Sequence, residues 1–299
     1  MASSQTHRRF CFGFGASAVS GLGLPVPVLA GAEEETLFTG AAEVGEAAGF
    51  KVFSDGAWSV GAWVGEARAD LGEQTREIYS DLLGWVRARG LRVARIWNYV
   101  PRINEDGPEG MENYRVFCRG RSQAFEADPE GVPPAASAVG GVPGRLAVLF
   151  AASPAMPRRF ENPEQVPAYE YPPEHGPRSP SFSRAGQVEV AGRRYTFVSG
   201  TASIKGHVTV EPDSLSGQLA CTLDNLRIIS GVCGLGADLG AGRAVERHFK
   251  VYVRNAADLP ELRAAVESRL LRAGDRVCWL RSDICRAALK LEIEATVIE

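Results

Sequence analysis

The chain has 299 residues, with 33 Lys and Arg against 36 Asp and Glu and a formal net charge of −3. It is long enough for one large or two medium domains, and its slight acidity gives no electrostatic case for nucleic acid. No stretch approaches ~18 continuous apolar residues, so no membrane-spanning helix is expected. Six scattered cysteines without a CxxC, and four histidines without ligand spacing, offer no zinc motif; reduced thiols in a cytoplasmic protein fit this pattern.

Near the start, His7-Arg8-Arg9 precedes Phe10-Cys-Phe-Gly-Phe-Gly-Ala-Ser-Ala-Val19, and Ala30-Gly-Ala32 follows. This has the outline of a signal peptide. Pro25 and Pro27 interrupt the apolar run, and the expectation is an opening strand followed by a Gly/Pro-rich loop. Short strands are expected at 10–14, 35–39, 50–54 and 58–64. Ile78, Leu82, Leu83 and Val86 fall on one face of a helix over 77–89, ended by Gly90. A strand follows at 93–100, stopped by Pro101. A second helix is expected over 110–125 and a strong strand at 147–150.

Residues 154–186 contain eight prolines, Pro154, Pro157, Pro163, Pro167, Pro172, Pro173, Pro177 and Pro180, which forbid a helix. Tyrosines and arginines among them argue for an ordered, extended connector, because a flexible linker is Gly/Ser-rich. After it the layout returns: a strand at 195–199 with a turn at Gly200, a helix at 218–229, a strand at 248–253, a helix at 259–271 and closing strands. The helix 77–90 answers 218–230, strand 95–99 answers 250–254, helix 111–125 answers 260–271, and strand 145–151 answers 289–295. An internal duplication of an α+β unit follows, of roughly 110 to 130 residues.

The closing segment, Arg276 to Thr296, carries Cys278, Cys285, Glu292 and Glu294 in a pattern that reads as half-buried strand, with Leu289, Leu291 and Ile293 alternating with polar residues. A carboxylate there faces solvent or a cavity. The period of two puts Glu292 and Glu294 on one face and does not separate them.

Ser199-Gly200, Leu223-Asp-Asn225, Val251-Tyr-Val253, Arg276-Val-Cys278 and Glu292-Ile-Glu-Ala295 occur in an order that resembles the RidA/YjgF family. Through the segments Arg95-Ile-Trp-Asn-Tyr-Val-Pro-Arg-Ile-Asn-Glu105, Tyr114 to Arg121, Ala168-Tyr-Glu-Tyr-Pro172, Gly176 to Arg184 and Ser199 to His207, the whole chain more closely resembles the chorismatase family, in which a degenerate RidA-like half is fused to a complete one. The resemblance implies an α+β fold of two RidA/YjgF-like (chorismate-mutase-like) halves, each a mixed sheet with helices packed on one face. It places a degenerate half at residues 1–155, the connector at 156–186 and the half with the active site at 187–299.

It also implies cleavage of chorismate to pyruvate and a ring product, with no cofactor and no metal. The enol ether of chorismate is inert until its methylene carbon is protonated, which calls for a carboxylic acid kept neutral by burial. By resemblance Glu292 is that catalytic acid. Cys285 is the second catalytic residue, and it and Gly200 point to the branch that forms 3-hydroxybenzoate. Tyr114 and Arg121, two helical turns apart, match the carboxylate-binding pair; Tyr169 and Arg276 match further substrate-binding positions. Arg178 and Arg184 can instead hold the connector down. Leu146 to Ala151 is apolar, so one site per chain is expected, walled by Tyr114 and Arg121 from the first half. The expected partner is the small-molecule substrate alone, without nucleic acid or membrane, in a monomer or loose homo-oligomer. Three alternatives stand beside this: a chorismate hydrolase giving a dihydroxycyclohexadiene carboxylate, a RidA-type imine or enamine deaminase, and a non-catalytic module that binds a small carboxylate.

Overall fold

A computed structural model describes residues 9–14, 23–24, 26–39, 42–127 and 132–299. His7, Arg8 and residues 15–19 of the signal-like segment lie outside the described residues. Its described parts include β1 (Arg9–Phe14), β2 (Gly23–Leu24) and β3 (Val28–Gly31), followed by β4 (Glu34–Thr39). β1 pairs with β2 and β4 in a small sheet.

The first half continues with β5 (Ala42–Ala47), β6 (Phe50–Ser54), β7 (Ser59–Glu66), α1 (Leu71–Ala88), β8 (Arg92–Pro101), α2 (Asn113–Glu126), β9 (Ala135–Gly141) and β10 (Arg145–Ser153). The second contains β11 (Arg158–Phe160), β12 (Ala185–Val190), β13 (Arg193–Thr201), the hairpin β14 (Ile204–Lys205) and β15 (Val208–Thr209), α3 (Leu215–Val232), β16 (Glu246–Val253), α4 (Leu259–Arg269), β17 (Arg276–Arg281) and β18 (Leu291–Ile298). No helix among the described residues is long and apolar enough to cross a membrane.

The duplication is written in the topology. One sheet runs β5-β6-β7-β10-β8-β9; the other runs β11-β12-β13-β18-β16-β17-β3. In each, a hairpin leads to a helix, a strand, a second helix and a parallel strand, and the last strand inserts between the hairpin and the middle strand. The sheets face one another across a shared core that includes Trp58, Trp97, Tyr99, Phe197, Tyr252 and Leu280. α1 and α2 cover the outer face of the first sheet, and α3 and α4 that of the second. The result is four layers, helix–sheet–sheet–helix.

Three local expectations change. α1 begins at Leu71, six residues before the expected start, because its first turn is held by side chains. Gln74 donates to Glu66 O at 2.8 Å and accepts from Arg68 N at 2.9 Å, while Gly72 reads as a breaker in the sequence. β9 had no sequence signal; Ala135-Ala-Ser-Ala138 lacks the large β-branched residues of a strand. Its small side chains fit where it packs against the second half: Ala136 N donates to Ser199 Oγ at 2.9 Å, and Gly140 N donates to Asp283 O at 2.7 Å. The closing strand β18 is buried along its whole length. Leu291, Ile293, Ala295 and Val297 face the helices, so its other face lies between the sheets and is not solvent-exposed.

The equivalence of β10 and β18 holds for the elements but not for the residue pairs matched end to end. On β10 the inter-sheet face carries Ala147, Leu149 and Ala151, while Val148 and Phe150 face α1 and α2. Pairing 145–151 with 289–295 is therefore off by one residue, which in a strand exchanges the faces. The correct face of β10 carries no carboxylate.

Where α1 and α2 cross, Gly120 lies against Gly72; a Cβ on Gly120 would overlap the Gly72 carbonyl oxygen. That close crossing sets the height of α2, and Arg121 is the next residue. Gly120→Val should separate the helices and cost about 1–3 kcal/mol. Thermal unfolding should show a Tm several degrees lower; an unchanged Tm would mean that the crossing yields without strain.

Candidate active site

A cavity of about 340 Å³ opens where the two halves meet the connector. From the first half, α2 contributes Tyr114, Cys118 and Arg121, and β9 contributes Ala136, Ser137 and Ala138. Tyr171, Phe182 and Arg184 come from the connector, and Gly200, Cys285, Arg286 and Glu292 from the second half. Spacings of four and three put Tyr114, Cys118 and Arg121 on one face of α2.

Glu292 sits on the inter-sheet face of β18 opposite Tyr252 of β16. It is 3% exposed, and its Oε1 has no hydrogen-bond partner among the described residues. Burial pushes the carboxyl up to about 8; the neighbouring Glu294 adds to the rise, while Arg95 and Arg184 oppose it. Glu292 is thus a neutral acid at pH 7.

The carboxyl rests on Gly200. A Cβ there would overlap Glu292 Oε1. The expected turn at Gly200 is instead a β-bulge: β13 continues to Thr201, with its register to β18 shifting between Val198 and Thr201. The extra residue re-aims the strand and makes room for the acid.

Glu294, two residues along on the same face, has the opposite fate. Arg95 Nη2 donates to its Oε2 at 2.7 Å, Trp97 Nε1 donates to its Oε1 at 3.0 Å, and Lys250 Nζ also reaches Oε1. Burial would raise this carboxyl, but Lys250 and Arg95 hold it below its ordinary range. One strand face therefore carries one neutral and one charged carboxyl, separated by their partners alone.

Arg121 is 2% exposed, and its guanidinium lies 5.2 Å from the Tyr79 ring and 5.6 Å from the Phe125 ring. Its Nε and Nη2 have no hydrogen-bond partner among the described residues. A buried guanidinium with donors unused is costly unless an anion completes it. Burial raises the Tyr114 phenol well above its usual range, and the phenol hydrogen-bonds to the Cys118 thiol. Burial, with Glu292 adding, pushes the Cys285 thiol up to about 12, so it is a neutral thiol and not a thiolate.

Arg184 does two things. Its Nη2 donates to Val166 O at 3.1 Å and to the Tyr171 hydroxyl at 2.8 Å, holding the connector, and the side chain also lines the cavity. Arg178 pairs with Glu126 of α2 on the surface. At the rim, Arg286 Nη1 donates to His207 O at 2.9 Å, and its guanidinium lies 5.5 Å from the Tyr171 ring.

A family model described as "Chorismatase FkbO/Hyg5-like, N-terminal" matches residues 35–152. A 3-hydroxybenzoate synthase from Streptomyces hygroscopicus is 38% identical over 239 residues, which are 76% of this chain and 69% of that protein. The chain belongs to the chorismatase family. A chorismatase from Streptomyces rapamycinicus is 37% identical over 233 residues, 75% of this chain and 69% of the relative. A chorismatase crystal structure superposes with a TM-score of 0.84 at 28% identity, covering 99% of this chain and 95% of that one.

Within this chorismatase fold, Glu292, Cys285, Tyr114, Arg121 and Gly200 meet around one cavity, although they come from both halves. Two expected residues do not reach it. Arg276 is exposed at the start of β17, level with His248 and Thr296, whereas Glu292 lies level with Tyr252 and Leu280. Four residues along a strand is about 13 Å. Tyr169 lies in a short 3-10 turn (Ala168–Glu170) and does not line the cavity; Tyr171, two residues later, does. The motif holds two tyrosines, and the irregular turn between prolines gives no periodicity by which to choose.

Sequence reasoning also missed the cavity-lining roles of Phe182, Arg184 and Arg286, whose local patterns resemble surface loops. The histidines have no ligand spacing along the chain, yet folding brings His175 and His207 together, Nε2 to Nδ1 at 2.9 Å, beside Glu174. Among the described residues this is the one group of three that could offer ligands to a metal, and its imidazoles are occupied with each other.

The Glu292 carboxyl is raised in the folded state from 4.5 to about 8, so the folded protein binds the extra proton. The sign follows: stability is lost as pH rises through that window. Glu292→Gln should therefore raise Tm at pH 8 while changing it little at pH 4.5, as scanning calorimetry at the two pH values will show. An equal shift at both would contradict the neutral-acid assignment.

Proposed function

We propose that this chain cleaves chorismate to 3-hydroxybenzoate and pyruvate. The observation that carries the reading is the cavity's pairing of a buried Glu292, whose Oε1 has no hydrogen-bond partner among the described residues, with a buried Arg121 whose Nε and Nη2 are likewise unused. A dianionic enol ether needs both: cations for its carboxylates and a proton for its methylene carbon. The curated relatives named 3-hydroxybenzoate synthase and chorismatase support the same reaction.

Arg121, with Arg184 and Arg286 at the connector side, holds the substrate carboxylates. Tyr114, an un-ionised phenol, donates a hydrogen bond to substrate. Glu292 delivers its proton to the methylene carbon, which leaves an oxocarbenium-like centre at the ether carbon. Arg95 and Arg184, the cations that draw the Glu292 carboxyl down, then stabilise the carboxylate it becomes. The C–O bond to the ring breaks with its electron pair going to oxygen and pyruvate leaves; the neighbouring ring hydroxyl oxygen moves to the cationic carbon, and a ring proton passes to the Glu292 carboxylate, which restores both the aromatic ring and the acid. Together 3-hydroxybenzoate and pyruvate contain the atoms of chorismate, so no water is consumed overall; the alternative diene-diol product requires one. Cys285, as a neutral thiol beside the ring, directs collapse to the aromatic product. Tyr169 and Arg276 lie outside the cavity lining and have no role in this reading.

The repeated topology supports two RidA-like halves at 1–155 and 187–299 joined by the connector 156–186. One chain supplies the cavity lining, which supports a monomer or loose homo-oligomer. Five free cysteines among the described residues, and a substrate made inside cells, support the cytoplasm.

Purified protein mixed with chorismate should release pyruvate, followed by a coupled assay; absence of pyruvate overturns the reading. Glu292→Gln should lower kcat by at least about 10²-fold with little change in KM, because the proton is given only in the transition state. Cys285→Ala should keep pyruvate release and lose 3-hydroxybenzoate as the main product on chromatography. Retention of that product would remove the thiol from the mechanism.

A further inference from the structure

Behind Glu292 lies a set of buried charges of which the reaction, as described, uses only Arg95. Glu294, bound by Arg95 and Lys250, is the nearest. Lys250 Nζ also lies 2.5 Å from Glu35 Oε2, and Glu35 Oε1 accepts from Thr296 Oγ1 at 3.0 Å. Arg95 Nη2 further donates to Ser137 Oγ at 3.1 Å. All four charged side chains are at most 4% exposed, and none lines the cavity. They come from β4, β8, β16 and β18, so both sheets and the N-terminal segment converge on this point.

Stability alone is a poor reason for such a cluster. Apolar residues of similar volume usually serve as well or better, since every buried charge must be desolvated. Position suggests another reason. Glu292, Glu294 and Thr296 succeed one another on one face of β18, and Glu292 makes no ion pair among the described residues. With no counter-ion of its own, it responds to the summed field of its neighbours. The cluster holds two carboxylates and two cations, so its net charge is zero. One unbalanced charge, about 7 Å away along the strand, is worth about one to two pH units on a buried acid.

We propose that Glu294 is a positioning residue for the reaction: through the charge-balanced cluster Arg95–Glu294–Lys250–Glu35 it sets the field that keeps the neighbouring Glu292 protonated. This rests on the reading of Glu292 as the proton donor. The other groups around Glu292 are Arg184 from the connector, Cys285 from the loop before β18 and Tyr252 from β16, with Arg121 and Arg286 across the cavity. The phenol and the thiol are neutral at pH 7, and the three guanidiniums are unaltered by changes within the cluster. The first half, which lacks an acid of its own, thereby acts on the acid of the second through Arg95.

Charge balance makes predictions of opposite sign. Glu294→Gln leaves one excess cation, and the alkaline limb of kcat/KM should move down by about one to two pH units. Lys250→Met leaves one excess anion, and the limb should move up. The double variant restores neutrality, and the limb should return to the wild-type position. Glu35→Gln, more distant and still able to accept from Thr296, should shift the limb down by a smaller amount and provides the test if the first two variants do not fold.

A second readout does not depend on turnover. The carbonyl stretch of the protonated Glu292 carboxyl, identified as the infrared band lost in Glu292→Gln, is titrated in each folded variant. Opposite band shifts in the single variants, cancelling in the double, support the proposal; if Glu35→Gln is the variant that folds, its downward shift does so. Shifts of one sign, or none, overturn it. Band shifts as expected with an unmoved pH–rate profile would leave the electrostatic coupling standing and sink the role of Glu292 as proton donor.

Discussion

The fold turns on how two buried carboxylates on one strand face are treated. β18 is the central strand of its sheet, buried on both sides, and it presents Glu292 and Glu294 to the space between the sheets. An unpaired charge there would cost several kcal/mol. The chain meets that constraint in two ways. Glu294 is ionised and saturated by Arg95, Lys250 and Trp97. Glu292 makes no ion pair among the described residues and keeps its proton. The proposed proton transfer depends on that asymmetry, because an acid that already had a partner would have no proton to give at pH 7.

Much of the surrounding structure serves this arrangement. The bulge at Ser199-Gly200 removes side-chain bulk beneath Glu292. Ala136, Ser137 and Ala138 of β9 keep the facing wall low. The Gly72–Gly120 crossing brings α2 in so that Arg121 looks into the cavity from the far side. The duplicated halves have diverged in function while keeping topology. The equivalent face of β10 carries alanine and leucine, and the first half supplies walls, cations and field but no acid.

The helices, most strands and the duplication were legible because amphipathic periods survive in α1, α2 and β16, while β8 and β10 are short, mostly apolar runs bounded by turn residues. β9 was not legible, since its small residues answer to a neighbouring sheet and have no local period. The start of α1 was obscured by Gly72, whose role is a helix crossing. Among the site residues, Tyr114 and Arg121 were readable as a pair because one helix face holds both. Tyr169 was named by resemblance, and a proline-bound turn has no periodicity to show that Tyr171 is the one at the cavity; Arg276 was named for a motif that lies four residues along the strand from the level of Glu292.

By itself, the sequence determined the α+β repeat, the family resemblance and the shortlist that contained Glu292, Cys285, Tyr114, Arg121 and Gly200. These depend on periodicity and on contiguous motifs, which are local. Only the tertiary structure decided which glutamate is the acid on physical grounds. Glu292 and Glu294 are equivalent by strand period, and their protonation states are fixed by Arg95, Lys250 and Gly200, which lie 199, 44 and 92–94 residues away in the chain. A pKa is set by what surrounds a group in space, and strand periodicity carries no record of that.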